Sequence, residues 1–199
     1  MRSGCHRPTD EKHFLHLVFS CSCTLTPFAR RKGTETFPST GTALESSSLP
    51  ALTPRAVLLT ADVINNNATL NTIADITNLK ATVEAGIWYH FRAVIPYTAA
   101  ATTTGARFSV TGPASPTFLA YRSTCPLTAT TQILNEGLTA YDLPAACSTT
   151  SLTTGNIAVV EGQIKPSANG YLQLRFASEV ANSAIIAKAG ACLFLTRLS

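Results

Sequence analysis

The amino-acid sequence predicts an all-β protein: an antiparallel β-sandwich of the jelly-roll type, preceded by an irregular N-terminal arm. Short apolar segments alternate with turn residues throughout residues 56–199. Val, Ile, Thr and aromatic residues, which favour strands, are abundant in these segments. The segments recur at close spacing, which is typical of sandwiches and jelly rolls.

The composition divides the chain into residues 1–55, an arm and linker, and residues 56–199, the β domain. Residues 39–54 are rich in Ser, Thr and Pro, which is typical of a flexible linker. The whole chain has 199 residues, a length that suits one domain with a tail.

Three interpretations of the first part of the arm stay open. A secretion signal would use the apolar residues 14–19, but that run is short and His16 interrupts it. A zinc site would use the nearby Cys and His residues, whose spacing departs from the usual patterns. The favoured interpretation is a flexible arm, or an upstream extension that reflects the choice of start codon.

Twelve strand segments follow in order, each bounded by turn-forming residues. The predicted strands are 55–64, 72–77, 81–84, 87–97, 107–111, 118–124, 132–134, 141–143, 157–165, 171–180, 184–188 and 191–198.

The segment 87–97 is the strongest of these strands. Alternation predicts that Ile87, Tyr89, Phe91, Ala93 and Ile95 face the core. The opposite face, with Trp88, His90, Arg92 and Val94, is mixed and is expected to approach a partner.

Residues 166–170 give the clearest hairpin signal and join the segments 157–165 and 171–180, with Gly170 supplying a positive φ. In the second segment Leu172, Leu174 and Phe176 should face inward, with Gln173 and Arg175 outward. The segments 184–188 and 191–198 form a last predicted pair around Gly190.

The last segment is apolar on both faces, with Cys192, Phe194 and Leu198 on one and Leu193 and Leu195 on the other. A strand of this kind is usually covered on both sides. One cover is a neighbouring subunit, which makes Leu193, Leu195, Trp88 and Val94 candidate interface residues. The alternative cover is the chain's own N-terminal arm.

The chemistry-bearing residues are sparse, and no catalytic, cofactor-binding or metal-binding residue is predicted. His90 is the single histidine after residue 55 and is expected to make structural hydrogen bonds. Cys125 and Cys147 could bridge, but free buried thiols are expected of a protein made in a reducing cytosol. Basic and acidic residues nearly balance in 56–199, which argues against nucleic acid. No apolar run is long enough to span a membrane.

Three aromatic residues form a candidate ligand surface for a host glycan: Trp88, Tyr97 and Tyr121. A sugar-binding platform of this kind would belong to a receptor-binding module. Tyr89 could extend this platform, but the competing interpretation places at least Tyr89 in the core, because it shares a strand face with Ile87 and Phe91.

Several segments of the chain resemble a virion protein domain of tailed bacteriophages. They are FRAVIPYTAAATTTG at 91–105, FSVTGP at 108–113, LAYRS at 119–123, LTAYDLP at 138–144, IAVVEGQI at 157–164, FASEV at 176–180 and KAG at 188–190. The resemblance spans residues 60–198, and the family occurs alone or at the ends of tail and fibre proteins. It implies a structural role on the particle surface and a jelly-roll trimer.

The expected function is therefore that of a non-enzymatic virion structural protein, either a capsid decoration (cement) protein or a tail-associated component. It would act as a homotrimer in contact with major capsid or tail proteins, after synthesis in the bacterial cytoplasm. The alternative is a receptor- or carbohydrate-binding module of a tail fibre.

Overall fold

The computed structural model describes residues 54–144 and 148–199, and these ranges form eleven strands and no helix. The prediction of an all-β chain is confirmed. The strands are β1 (Arg55–Leu58), β2 (Val63–Asn65), β3 (Ala74–Val83), β4 (Tyr89–Ala99), β5 (Ala106–Thr111), β6 (Phe118–Pro126), β7 (Gln132–Leu138), β8 (Asn156–Lys165), β9 (Gly170–Ser178), β10 (Ile185–Ala187) and β11 (Cys192–Arg197).

The strands form two antiparallel sheets. The larger sheet has the order β1–β11–β4–β8–β6–β7, and β10 and β2 extend it beside the far end of β4. The smaller sheet has the order β3–β9–β5. All pairings between these strands are antiparallel, as the sequence predicts.

Strand β4 is central to the larger sheet and follows the predicted alternation. Tyr89, Phe91, Ala93 and Ile95 are buried, whereas His90 and Arg92 on the other face are exposed. The buried side chains point toward the smaller sheet, where Phe108 of β5 contacts Tyr97 of β4 with ring centroids 4.9 Å apart. Apolar burial between the two sheets is therefore the main source of stability.

The two ends of the domain meet in one interrupted ribbon. Strand β1 pairs with β11 and strand β2 pairs with β10, so the predicted strand 55–64 is split in two. Asp62 occupies the interruption, where its carboxylate accepts a hydrogen bond from the Ala189 amide at 2.8 Å and pairs with Lys188. Strands β10 and β11 lie end to end along β4, so the predicted pairing between them is wrong.

The segments 72–77 and 81–84 belong to one strand, β3, rather than two. Its pairing with β9 shifts register between Asp75 and Lys80, and Asn78 takes a positive φ of 70° within the shift. The Gln173 amide donates hydrogen bonds to the carbonyl oxygens of Ile76 (2.9 Å) and Leu79 (3.2 Å) there. Gln173 is consequently buried, although it lies on the face of β9 opposite Leu172 and Leu174, as predicted.

The predicted hairpin at 166–170 is also wrong. Strand β8 lies in the larger sheet and β9 in the smaller one, so the connection crosses between sheets. It is held by the turn after β3: the Gly86 amide donates to the Pro166 carbonyl at 2.8 Å, and the Ala85 amide donates to Asn169 Oδ1 at 2.8 Å. Gly170 does not have the positive φ that a tight hairpin would need.

Gly162 of β8 allows β6 to approach closely. A Cβ atom at this position would lie 2.3 Å from the Ala120 carbonyl oxygen and 2.4 Å from Tyr121 Cβ. The missing side chain also leaves room for the rings of Phe91 and Tyr121, which face each other across β8 with centroids 6.4 Å apart.

Gly162→Ala is expected to lower the free energy of unfolding by roughly 3 kcal/mol, because the clash involves backbone and forces two paired strands apart. Gly137→Ala is the matched comparison, since a Cβ there meets nothing within 4 Å but the residue has a φ of 67°. Its cost should be about 1 kcal/mol from backbone strain alone. Urea denaturation of both variants checks the ranking, and an equal loss in the two would refute the packing explanation.

One further strand prediction is wrong, and some predictions concern residues that the structure does not describe. The segment 141–143 is a turn, with Asp142 at a φ of 60°, and is not a strand. The N-terminal arm, its possible signal or zinc site, and Cys147 lie outside the described residues. Among residues 54–144 and 148–199 no helix is long and apolar enough to cross a membrane.

Candidate functional site

The outer face of the larger sheet, turned away from the smaller sheet, carries the features that bear on function. Strand register aligns its side chains into rows that cross the sheet. One row takes one residue from each of six strands, and we call it the apolar row: Leu58, Cys192, Val94, Val159, Thr124 and Leu134.

The apolar row is open to solvent along its length. Leu58 is 59% exposed at one end and Leu134 is 51% exposed at the other, while the members between them are half-buried. Phe194 on one side and Ile157 on the other extend the apolar surface, with exposures of 42% and 56%. A continuous apolar strip of this kind is typical of an interaction surface.

The predicted interface residues divide between the two faces of the sheet. Val94 lies in the apolar row and Trp88 is half-buried near one end of the outer face. Leu193 and Leu195 are buried at 0% and 1% exposure, because their register with Ala93 and Phe91 places them on the inner face. Their assignment to an interface is therefore wrong, and the outward-facing residues of β11 are Cys192 and Phe194.

A second row, the charged row, runs beside the apolar row and contains Arg92, Glu161, Arg122 and Glu136. Glu161 accepts from Arg122 Nε at 2.7 Å and lies 3.4 Å from Arg92 Nε. Arg122 also reaches Glu136, with 3.5 Å between Nη1 and Oε1. The pairing with Glu161 raises the pKa of Arg122. The charges alternate and neutralise one another, so the row presents no concentrated positive surface for nucleic acid.

The three aromatic residues of the candidate ligand surface do not lie together on one exposed surface. Tyr97 is fully buried against Phe108, and Tyr121 is 4% exposed, so neither ring is presented on the outer face. Trp88 instead contacts Phe118, with ring centroids 4.8 Å apart. Residues 89, 91, 93, 95 and 97 share one face of a strand, and this alternation was the signal that Tyr97 belongs to the core.

Tyr121 is a structural residue of the core. Its hydroxyl donates to the Leu143 carbonyl at 2.7 Å and accepts from the Leu143 amide at 3.1 Å, which fixes the turn after β7. Burial raises the pKa of the Tyr121 phenol to about 12.

A pH-dependent loss of stability is expected from this phenol. Because its pKa in the folded state exceeds the ordinary value of 10.0, the contribution is complete below pH 10 and is lost as the pH rises toward 12. The free energy of unfolding of Tyr121→Phe should fall less steeply over this interval than that of the wild type. Equal slopes in wild type and Tyr121→Phe would contradict the assignment.

The described cysteines differ in state. Cys125, at the end of β6, is disulfide-bonded, which corrects the expectation of a free buried thiol. Cys192 carries a free thiol, and partial burial raises its pKa.

The described ranges offer little for catalysis or metal binding. They contain no group of three or more His, Cys, Asp or Glu side chains able to hold a metal ion. His90 is exposed on the outer face, and no hydrogen bond within residues 54–144 and 148–199 involves its side chain, so its predicted structural hydrogen bonding is wrong.

Comparisons with protein-family models, with curated proteins and with solved structures found no match to this chain.

Four outer-face residues were not predicted as site residues from the sequence: Phe118, Glu161, Gln163 and Phe194. Their alternation with buried neighbours along β6, β8 and β11 was visible in the sequence. What the sequence did not contain was the register that places them in neighbouring rows.

Proposed function

We propose that this protein is a non-enzymatic structural protein on the surface of a bacteriophage particle, either a capsid decoration protein or a tail-associated component. It works by assembling into a homotrimer that contacts major capsid or tail proteins. The observation that carries the proposal is the apolar row, which leaves leucine, valine and cysteine side chains in water across the whole width of the sheet.

Assembly gives this surface a physical role. Covering apolar area stabilises a complex by roughly 25 cal/mol per Å², before the entropy of association is subtracted. The strip belongs to a rigid sheet, so little side-chain or backbone ordering accompanies docking. The neighbouring charged row is already neutralised within one chain, so it can lie at the rim of an interface without strong desolvation.

The strand order supports the finer proposal of a jelly roll. A jelly roll places its first, eighth, third and sixth strands in one sheet. Here β1/β2, β10/β11, β4 and β8 lie side by side in that order, and β3, β9 and β5 form the opposing sheet. One departure is β6, which pairs with β8 in the larger sheet and not with β5 in the smaller one.

Two further points support a place on a particle. The segments between residues 91 and 180 resemble virion proteins of tailed bacteriophages. The disulfide at Cys125 suits a protein whose working environment is oxidising, because disulfides persist on virion and cell surfaces.

Mass spectrometry of purified particles tests the proposed location. The protein should be present in intact particles in a fixed copy ratio to the major capsid protein or to a tail protein. Purified protein should also rebind to particles from which it has been stripped. Absence from the particles, together with failure to rebind, would refute the virion role.

A further inference from the structure

A cavity of about 410 Å³ opens on the outer face of the larger sheet, between the charged row and the end of the sheet that carries Phe118. Strands β4, β8, β6 and β7 all contribute to it. Its lining includes His90, Phe118, Ala120, Gln163, Arg122 and Glu136. The volume lies within the range of small-molecule sites in proteins, which is roughly 300–1,000 Å³.

One wall of the cavity is aromatic. Phe118 is 39% exposed and contacts Trp88, although the strand β8 lies between their strands. Lys165, the β8 residue between them, places its ammonium 5.7 Å from the Trp88 ring centroid. Contact with Trp88 places the Phe118 ring at the cavity edge and leaves part of it in contact with solvent.

The centre of the cavity combines a small side chain with free polar groups. Ala120 is in register with Gln163, which is in register with His90, so the three lie in one row beneath the opening. In the part of the chain that the structure describes, neither the Gln163 amide nor the His90 imidazole makes a side-chain hydrogen bond. An amide supplies both donors and an acceptor, so these groups are available to a polar ligand.

The opposite wall supplies charged hydrogen-bonding groups. Glu136 is exposed and only loosely held by Arg122, at 3.5 Å, which leaves carboxylate oxygens free to accept. Glu161 and Arg122 compensate each other's charge. The cavity therefore combines an apolar ring surface with paired donors and acceptors and no strong net charge.

We propose that this cavity binds a saccharide of one or two pyranose rings. A pyranose has an apolar C–H face that packs on an aromatic ring and hydroxyl groups at its rim that both donate and accept. Phe118 would meet the C–H face, and Gln163, His90 and Glu136 would bind the hydroxyls. The site is separate from the apolar row and does not depend on the trimer, so the two proposals can fail independently.

Saturation-transfer NMR with the full-length chain tests this proposal. The probes are methyl glycosides of glucose, galactose, mannose, rhamnose and N-acetylglucosamine, and disaccharides built from them. Few hydrogen bonds at an open site predict affinity near the millimolar range, so each probe is used at roughly 10 mM. At least one probe should receive saturation from the wild type.

Three variants locate the binding. Ala120→Phe fills the cavity and should weaken binding by about ten-fold or more, and Gln163→Ala should weaken it by roughly three- to ten-fold through the lost hydrogen bonds. Ala56→Phe makes the same change at an exposed position of β1 on the same face, outside the cavity, and should bind like the wild type.

Circular dichroism shows whether each variant is folded. If Ala120→Phe does not fold, the test of saccharide binding rests on Gln163→Ala, which changes an exposed side chain. The proposal is overturned if no probe receives saturation. It is also overturned if binding survives unchanged in the folded variants of Ala120 and Gln163.

Discussion

Phe108→Ala should lower the free energy of unfolding by about 3–5 kcal/mol, the range for removing a fully buried aromatic side chain. Phe108 has no exposed surface and lies between Tyr97 of the larger sheet and Phe176 of its own sheet, at centroid distances of 4.9 and 6.3 Å. Its loss would leave a cavity at the point where the two sheets meet. Urea denaturation followed by circular dichroism measures the effect.

Phe118→Ala is the matched control, because it removes the same ring from a position that is 39% exposed. Its cost should be about 1 kcal/mol or less. Both variants must be compared with the wild type at one protein concentration, since association adds to apparent stability. Similar losses at the two positions would mean that the core does not depend on the ring contact between the sheets.

Val94→Glu should convert the proposed trimer into single chains while leaving each chain folded. Val94 is half-buried at the centre of the apolar row, so its side chain already points away from the core and tolerates a longer residue. In an assembly the new carboxylate would be buried without a partner, at a cost of several kcal/mol. We expect the dissociation constant to rise by roughly 100-fold or more.

Val180→Glu provides the control for the added charge. Val180 follows β9, is 41% exposed and lies outside the larger sheet. Sedimentation velocity over a range of concentrations should show a trimer for Val180→Glu and a single chain for Val94→Glu. If both variants dissociate, the added negative charge itself, and not its position in the apolar row, weakens the assembly. If Val94→Glu remains a trimer, the apolar row is not part of the interface.

The fold class and the inner face of β4 could be predicted because they depend on local pattern. Alternation with a period of two predicts which side chains between Tyr89 and Ile95 are buried. This prediction does not require knowing which strands lie beside β4. The boundaries of β5 and β8 were predicted to within one residue for the same reason.

Strand pairing could not be predicted in the same way. Residues 166–170 have the composition of a hairpin, yet Pro166 and Asn169 accept hydrogen bonds from the turn at 84–86, and the chain passes to the other sheet. Turn composition shows that the chain reverses direction but not which strand the next one will pair with.

The candidate interface residues could not be assigned correctly for the same reason, because strand pairing was unknown. The sequence shows that β11 is apolar on both faces, but Leu193 and Phe194 cannot be assigned to inside or outside without the register to β4. The rows on the outer face arise from six strands that are far apart in the sequence. Both the apolar row and the cavity beside Phe118 therefore arise only in the assembled sheet.

The most direct test of assembly through the outer face is the solution mass of the full-length chain, measured by size-exclusion chromatography with light scattering. We predict a mass of three times the chain mass of 21.0 kDa, falling to one chain mass in Val94→Glu. A mass of 21.0 kDa for the wild type at high concentration would contradict the proposal, because the apolar row would then remain exposed in the protein on its own.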